Sequence, residues 1–209
     1  IWMVSKVFKT VSPDVDIRWF FIVTQYFGNC FLGSAFFAFA YRYATGRLPR
    51  KGILITTNLI SLFFFLSMAT NPWHMLFYTY YDFYRDSFGP IFYFNQAYTY
   101  LLMLLGIGLC ARQFFHDYRQ KKIQAVMISV AVAIPLVINI FYITKLFKRL
   151  FDITPLFDIT PIACNLSLAL FAIAIFRYQF FDVAPIARRK VFNEIPEGIV
   201  LFDQKQRIT

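Results

Sequence analysis

Long apolar segments alternate with short polar links along most of the chain. A helix needs roughly 20 residues to cross a bilayer, and backbone groups in lipid have to be hydrogen-bonded within the protein, which favours helices. Five segments come close to this length, at about 19–40, 53–69, 91–111, 123–144 and 159–176. The pattern therefore predicts an all-α membrane protein containing a bundle of five visible transmembrane helices.

Shorter stretches flank this predicted bundle. Residues 1–18 are interpreted as the end of a preceding helix and an outer link, because an apolar start gives way to a polar run with Pro13. The membrane region is assigned to 19–181, a cytoplasmic connecting helix to 182–195 and the start of a soluble domain to 196–209. The chain begins with Ile1 and stops at Thr209 in a strand-like pattern, so we expect a fragment of a longer protein.

Composition supports the membrane assignment and narrows the partners. Hydrophobic residues make up 59% of the chain and charged residues 15%, and the mean hydropathy is +0.55, values unusual for a soluble domain. The net charge of +10 could suggest nucleic acid. The basic residues, however, lie in short clusters between apolar segments, so membrane topology explains them better and no nucleic-acid partner is expected.

The distribution of Lys and Arg predicts the orientation of the bundle. Twelve of them lie in the links on one side of the predicted helices and seven in the links on the other. Because cytoplasmic links carry the excess of positive charge, the first set is expected to be cytoplasmic. The C-terminus would then lie inside, and the first of the five segments would enter the membrane from outside.

Charged and catalytic groups are missing from the apolar segments. No Lys, Arg, Asp or Glu lies in the central part of any segment, which argues against a proton pump or a carrier of charged substrates. His74 and His116 lie in opposite links, and Cys30, Cys110 and Cys164 are interpreted as buried structural thiols. We therefore expect no catalytic residue, no metal site and no cofactor in this part of the chain.

Amide side chains are the main polar groups left in the membrane. Several fall about five residues, roughly 8 Å, below the predicted outer surface. This layer provides a candidate ligand-binding set, Gln25, Asn95, Gln96, Tyr98, Asn139, Tyr142 and Asn165. Two interpretations stay open: interhelical hydrogen bonds of about 0.6 kcal/mol each, or a pocket that combines apolar walls with a few polar groups.

Two further patterns concern packing. The outer link 71–89 carries eight aromatic residues, interpreted as an interfacial belt in preference to the lid of a pocket. Gly28 and Gly33 in the first segment and Gly106 and Gly108 in the third predict close approach between helices.

Five strings occur in a recognisable order and spacing. They are TNPWH at 70–74, FGPIFY at 88–93, PLVIN at 135–139, DITP at 158–161 and FRYQFFDVAPIARRKVF at 176–192. Together they resemble the N-terminal seven-transmembrane sensor region of bacterial sensor histidine kinases. The resemblance implies a multi-pass protein of the bacterial inner membrane whose five visible helices are the third to the seventh. The doubled LFDITP at 150–161 departs from the single copy expected.

The resemblance also implies a signalling role. Residues 196–209 resemble the opening of an α/β PAS domain, so the chain would be the input module of a two-component sensor histidine kinase. An outer or intramembrane stimulus, such as a small or amphipathic ligand, would act through the last helix on cytoplasmic PAS and kinase domains. A homodimer, a cognate response regulator, and ATP with Mg in the kinase domain are implied as well. Candidate residues for signal transmission are Arg177, Pro185, Ile186, Arg188 and Val191.

Two other functions stay open from the sequence. An uncharged-solute transporter or channel subunit with a regulatory tail would predict solute flux across vesicles. The same sensor region could also be coupled to a diguanylate cyclase. The residues beyond Thr209 would separate that alternative from a kinase.

Overall fold

The computed structural model describes residues 2–81, 86–116, 119–152 and 159–177. Helices dominate this part of the chain, together with one short antiparallel sheet of two strands. In chain order the elements are α1 (Trp2–Val11), α2 (Val15–Thr45), α3 (Lys51–Ala69), α4 (Asn71–His74), β1 (Tyr78–Tyr81), β2 (Asp86–Phe88), α5 (Pro90–His116), α6 (Arg119–Ile143), α7 (Leu146–Phe151) and α8 (Thr160–Arg177).

The long helices coincide with the predicted apolar segments. Among the described residues, four helices, α2, α3, α5 and α6, are long and apolar enough to cross a membrane. Helix α8 occupies the position of the fifth segment, and its stretch Thr160–Ala174 is a shorter apolar helix. An all-α membrane region is therefore confirmed, whereas the number of spans, the orientation and the predicted PAS start remain predictions.

Helix α2 begins earlier than its apolar pattern indicates. The side chain of Asp14 accepts a hydrogen bond from the backbone nitrogen of Asp16 at 2.8 Å, and an acidic N-cap of this kind stabilises the first turn. The helix consequently starts at Val15 and ends at Thr45, whereas the apolar segment covers only 19–40. Polar residues at a helix end are invisible to a pattern built on apolar side chains.

The helices pack around α2 and α5. Helix α5 contacts both α2 and α6, while α6 also packs against α8 and α3 packs against α2. Helices α2 and α5 run parallel, because Gly33 lies against Thr99 and, further along both helices, Ala40 lies against Gly106. We call the end of the bundle that carries β1 and β2 the hairpin end.

Two apolar clusters form the core. The first lies near the hairpin end and consists of Ile22, Tyr26, Cys30, Phe64, Met68, Phe77, Tyr78 and Phe92. The second lies further along the helices and consists of Phe36, Ala40, Cys110, Ile128 and Val132. The prediction of buried thiols is confirmed for Cys30 and Cys110, whereas Cys164 is only half-buried.

In the described part of the link between α3 and α5, the side chain of Asn71 holds the backbone in a defined conformation. The amide oxygen of Asn71 accepts hydrogen bonds from the backbone nitrogens of Phe77 and Tyr78, both at 2.9 Å. Phe77 and Tyr78 are buried, whereas Trp73 is 88% exposed. The belt interpretation is therefore wrong for Phe77 and Tyr78, because their rings complete the first apolar cluster.

Candidate functional site

Asn139 on α6 is the centre of a hydrogen-bond network that links three helices. Its amide oxygen accepts from the side-chain nitrogen of Gln96 at 3.1 Å and from the hydroxyl of Tyr100 at 2.5 Å, both on α5. Its amide nitrogen donates to the hydroxyl oxygen of Thr160 on α8 at 3.1 Å. One asparagine thus joins α5, α6 and α8 through hydrogen bonds that all lie within the bundle. We call Gln96, Tyr100, Asn139 and Thr160 the Asn139 network.

A second contact joins α6 to α8 where α6 contains a proline. Pro135 has no backbone N–H, so the carbonyl of Ala131, four residues earlier, lacks its usual helical partner. The hydroxyl of Ser167 on α8 donates to this carbonyl oxygen. A backbone group freed by proline inside a membrane helix has to be satisfied by a neighbour, and here α8 supplies the donor.

Two polar residues on successive turns of α5, Asn95 and Thr99, have the opposite surroundings. Asn95 is completely buried, and neither its amide nitrogen nor its amide oxygen has a hydrogen-bond partner among the described residues. One turn further along, the hydroxyl of Thr99 is also buried without a partner. The amide oxygen of Gln25 on α2 is in the same condition. Gln25, Asn95 and Thr99 belong to the two helices that pack together here, α2 and α5, and we call these three residues the unpaired layer.

Close packing explains why Thr99 is shielded from solvent. A Cβ atom added at Gly33 would lie 3.2 Å from the Cα and the carbonyl oxygen of Thr99. At Gly106 it would lie 2.6 Å from the ring of Phe36. The prediction of close approach is confirmed at these two glycines and wrong at Gly28 and Gly108, where nothing lies within 4 Å of the added atom.

The structure brings only part of the predicted ligand-binding set together. Gln96 and Asn139 are hydrogen-bonded, but the hydroxyl of Tyr98 donates to the backbone oxygen of Thr57 on α3 at 2.7 Å. Tyr142 is half-buried in the last turn of α6. The side chain of Asn165 is exposed on α8 and does not join the Asn139 network. Equal depth in the membrane was therefore insufficient to place these amides in one group.

The predicted transmission residues lie at or beyond the end of α8. Arg177 is the last residue of that helix. Pro185, Ile186, Arg188 and Val191 lie outside the described residues, as does the predicted PAS start at 196–209. The first of the two LFDITP copies begins in α7, and half of the doubled stretch, 153–158, also lies outside the described residues.

Four residues that the sequence did not single out as site residues are central to these contacts. Tyr100 and Thr160 complete the Asn139 network, Thr99 belongs to the unpaired layer, and Ser167 binds the carbonyl of Ala131. Of these contacts, the one made by Ser167 could have been predicted from Pro135 in the middle of an apolar segment. The proline marks a free carbonyl on the preceding turn and hence a place for a hydroxyl on a neighbouring helix.

Comparison with known proteins agrees with the arrangement of apolar helices. The family model described as the N-terminal 7TM region of histidine kinase matches residues 1–185. Searches of curated proteins and of solved structures found no match. The matched region covers every described helix, including the Asn139 network, the unpaired layer and the contact of Ser167. The chain therefore belongs to the family of N-terminal seven-transmembrane regions of histidine kinases.

Proposed function

We propose that this chain is the membrane-embedded input module of a two-component sensor histidine kinase. The observation that carries the proposal is the Asn139 network, which links α5 to α8, the last described helix before the C-terminal segment. A displacement of α5 alters the positions of Gln96 and Tyr100 and is passed by Asn139 to Thr160. The Ser167 contact ties α8 to α6 at a second point.

The unpaired layer is the proposed place where the stimulus acts. Polar groups buried without partners raise the free energy of the packing in which they occur. A small uncharged or amphipathic ligand that both donates and accepts hydrogen bonds would lower this free energy. A different packing of α2 against α5 that gave these groups partners would lower it as well. Because two states of a protein respond only to a difference in binding free energy, such a layer is well suited to shift an equilibrium.

The remaining parts of the proposal follow the family. The hairpin end faces outward and the C-terminus faces the cytoplasm, in the inner membrane of a bacterium. The segment from Arg177 through Pro185 to Val191 carries the change to PAS and kinase domains, which bind ATP with Mg, dimerise and phosphorylate a response regulator. The Lys and Arg distribution supports the orientation, and the family match supports the connection to a histidine kinase.

The test is autophosphorylation of the intact histidine kinase that carries this region, measured in membrane vesicles. Asn139→Leu removes the centre of the network and is expected to change the rate by about fivefold or more, the usual lower bound for coupling between sites. Asn165→Leu is the matched control, because this asparagine is exposed and lies outside the network. Equal rates in Asn139→Leu and the wild type would contradict transmission through Asn139.

A further inference from the structure

His74 is held by hydrogen bonds on both nitrogen atoms of its ring. Nδ1 lies 2.9 Å from the backbone nitrogen of Leu76, and Nε2 lies 2.9 Å from the carbonyl oxygen of Ser67. A backbone N–H can only donate and a carbonyl can only accept, so Nδ1 is bare and Nε2 carries the hydrogen. The two partners therefore fix the neutral ring in one tautomer.

A third neighbour agrees with this assignment. The hydroxyl of Thr70 donates to the carbonyl of Leu66 at 2.8 Å and lies 3.3 Å from Nε2 of His74. Since its hydrogen is used, the oxygen of Thr70 can accept a second bond from Nε2. The ring is only half-buried, so water can reach it.

Leu76 connects this ring to the first turn of α5. Its carbonyl oxygen accepts a hydrogen bond from the backbone nitrogen of Ile91 at 3.2 Å. Gly89 packs directly on the same carbonyl, because an added Cβ would lie 2.1 Å from the oxygen. The backbone of Leu76 thus donates a hydrogen bond to His74 and accepts one from α5. Loss of the bond to His74 would therefore free a residue that binds the first turn of α5.

The stretch of chain on both sides of His74 contains no charged residue. The chain carries no Asp, Glu, Lys or Arg between Lys51 and Asp82, a range that includes nearly all of α3 and the whole of α4. Toward the hairpin end the neighbouring elements carry Asp14 at the N-cap of α2, Asp16, Arg18, Tyr26 and Cys30 on α2, the phenols of β1, Asp86 on β2, and Tyr93 and Tyr98 on α5. No described hydrogen bond joins any of them to His74.

We infer that His74 is a proton-binding site through which the hairpin end senses acid. A proton from solvent binds Nδ1, which then presents an N–H to the N–H of Leu76, so their hydrogen bond is lost. The neutral ring therefore holds the backbone nitrogen of Leu76, whose carbonyl binds Ile91, and the charged ring releases that nitrogen. Only the consequence for kinase output rests on the proposed sensor function.

The test uses the chain in lipid nanodiscs with nitrogen-15 in the histidine rings. The chain has two histidines, so His116→Gln leaves His74 as the single source of ring signals. In a series of spectra taken from alkaline to acidic pH, the neutral ring should show a bare Nδ1 and a protonated Nε2, and the charged ring should show both nitrogens protonated. Hydrogen exchange at the Leu76 and Ile91 amides, corrected for its intrinsic pH dependence, should then be about tenfold faster.

Two controls isolate the ring. The amide of Gly46 donates to Arg42 at 2.8 Å at the opposite end of α2, and its exchange should not respond to His74. His74→Asn offers an amide oxygen near the position of Nδ1 that does not titrate, so the acceleration at Leu76 should disappear. If this variant does not fold, the spectra and exchange of His116→Gln alone decide.

Three results would overturn the inference: a ring that stays neutral down to the lowest pH at which the chain remains folded, a hydrogen on Nδ1 of the neutral ring, or protonation of the ring without faster exchange at Leu76. A fourth measurement separates it from the proposed function. If acid releases Leu76 but does not change autophosphorylation of the intact kinase, the proton site stands and the coupling of α5 to output fails.

Discussion

Two neighbouring residues on α5, Asn95 and Gln96, have opposite surroundings. Gln96 bonds to Asn139 on α6, whereas Asn95 is completely buried and neither of its amide atoms has a partner among the described residues. A paired network favours one arrangement of its helices because each partner would be lost on movement. An unpaired layer does the reverse, since it penalises the packing that buries it. On α5, the hydrogen bond of Gln96 therefore favours a fixed position against α6, whereas the unpaired amide of Asn95 favours a change of packing.

The largest effect is expected where α2 and α5 come closest. Gly33→Leu forces side-chain atoms against the backbone of Thr99, 3.2 Å from the position of the added Cβ. Overpacking of this kind should lower the free energy of unfolding by about 3 kcal/mol. Reversible unfolding in mixed detergent micelles, followed by helical circular dichroism, measures it.

Gly28→Leu on the same helix is the control for this substitution. Nothing lies within 4 Å of a Cβ at Gly28, and both changes improve helix propensity equally. The two variants should therefore differ by nearly the whole overpacking cost. Equal stability of the two would show that the α2-facing side of α5 is loosely packed, and the contrast between the two faces would lose its basis.

The next largest effect tests the paired face. Asn139→Leu removes three hydrogen bonds of the Asn139 network, and at about 0.6 kcal/mol each the free energy of unfolding should fall by about 2 kcal/mol. Asn165→Leu, on the exposed side of α8, should not lower it. The same micelle assay measures both variants. A loss below about 0.5 kcal/mol for Asn139→Leu would mean that the network does not hold the helices together.

Asn95→Leu should have the opposite sign. It replaces a buried amide that has no described partner by an apolar side chain of similar size, so the free energy of unfolding should rise by about 1 kcal/mol. Gln96→Leu, one residue further along, should lower it because the bond to Asn139 is lost. Destabilisation by Asn95→Leu would show that this amide is satisfied in the membrane, which would remove the difference between the two faces.

The sequence predicted the helices well because the length of an apolar run is a local property. The pairing of amide side chains is not a local property, because it depends on the rotation of each helix about its axis. Adjacent residues on a helix point about 100° apart, so Asn95 and Gln96 share a depth but face different neighbours. Apolar side chains surround these helices on most sides and give no indication of the inward face. Asn165 was grouped with Asn139 for this reason.

The hairpin end shows a second limit of prediction from sequence. The strands β1 and β2 and helix α4 were not predicted, because aromatic residues are equally typical of a membrane interface and of a core. What orders this segment is the side chain of Asn71, which binds the backbone of Phe77 and Tyr78. Local side-chain bonds to the backbone depend on conformation and leave little trace in hydrophobic patterning.

The smallest predicted effect extends the paired side to α8. Ser167→Ala removes the donor to Ala131 and should lower the free energy of unfolding by about 0.6 kcal/mol. In a Pro135→Ala background, residue 135 regains an N–H that can bind the same carbonyl within α6, so most of this loss should disappear. A double-mutant cycle in the micelle assay measures the difference. An equal loss in both backgrounds would mean that Ser167 stabilises α8 independently of the carbonyl freed by the proline, and the α6–α8 contact would rest on Asn139 and Thr160 alone.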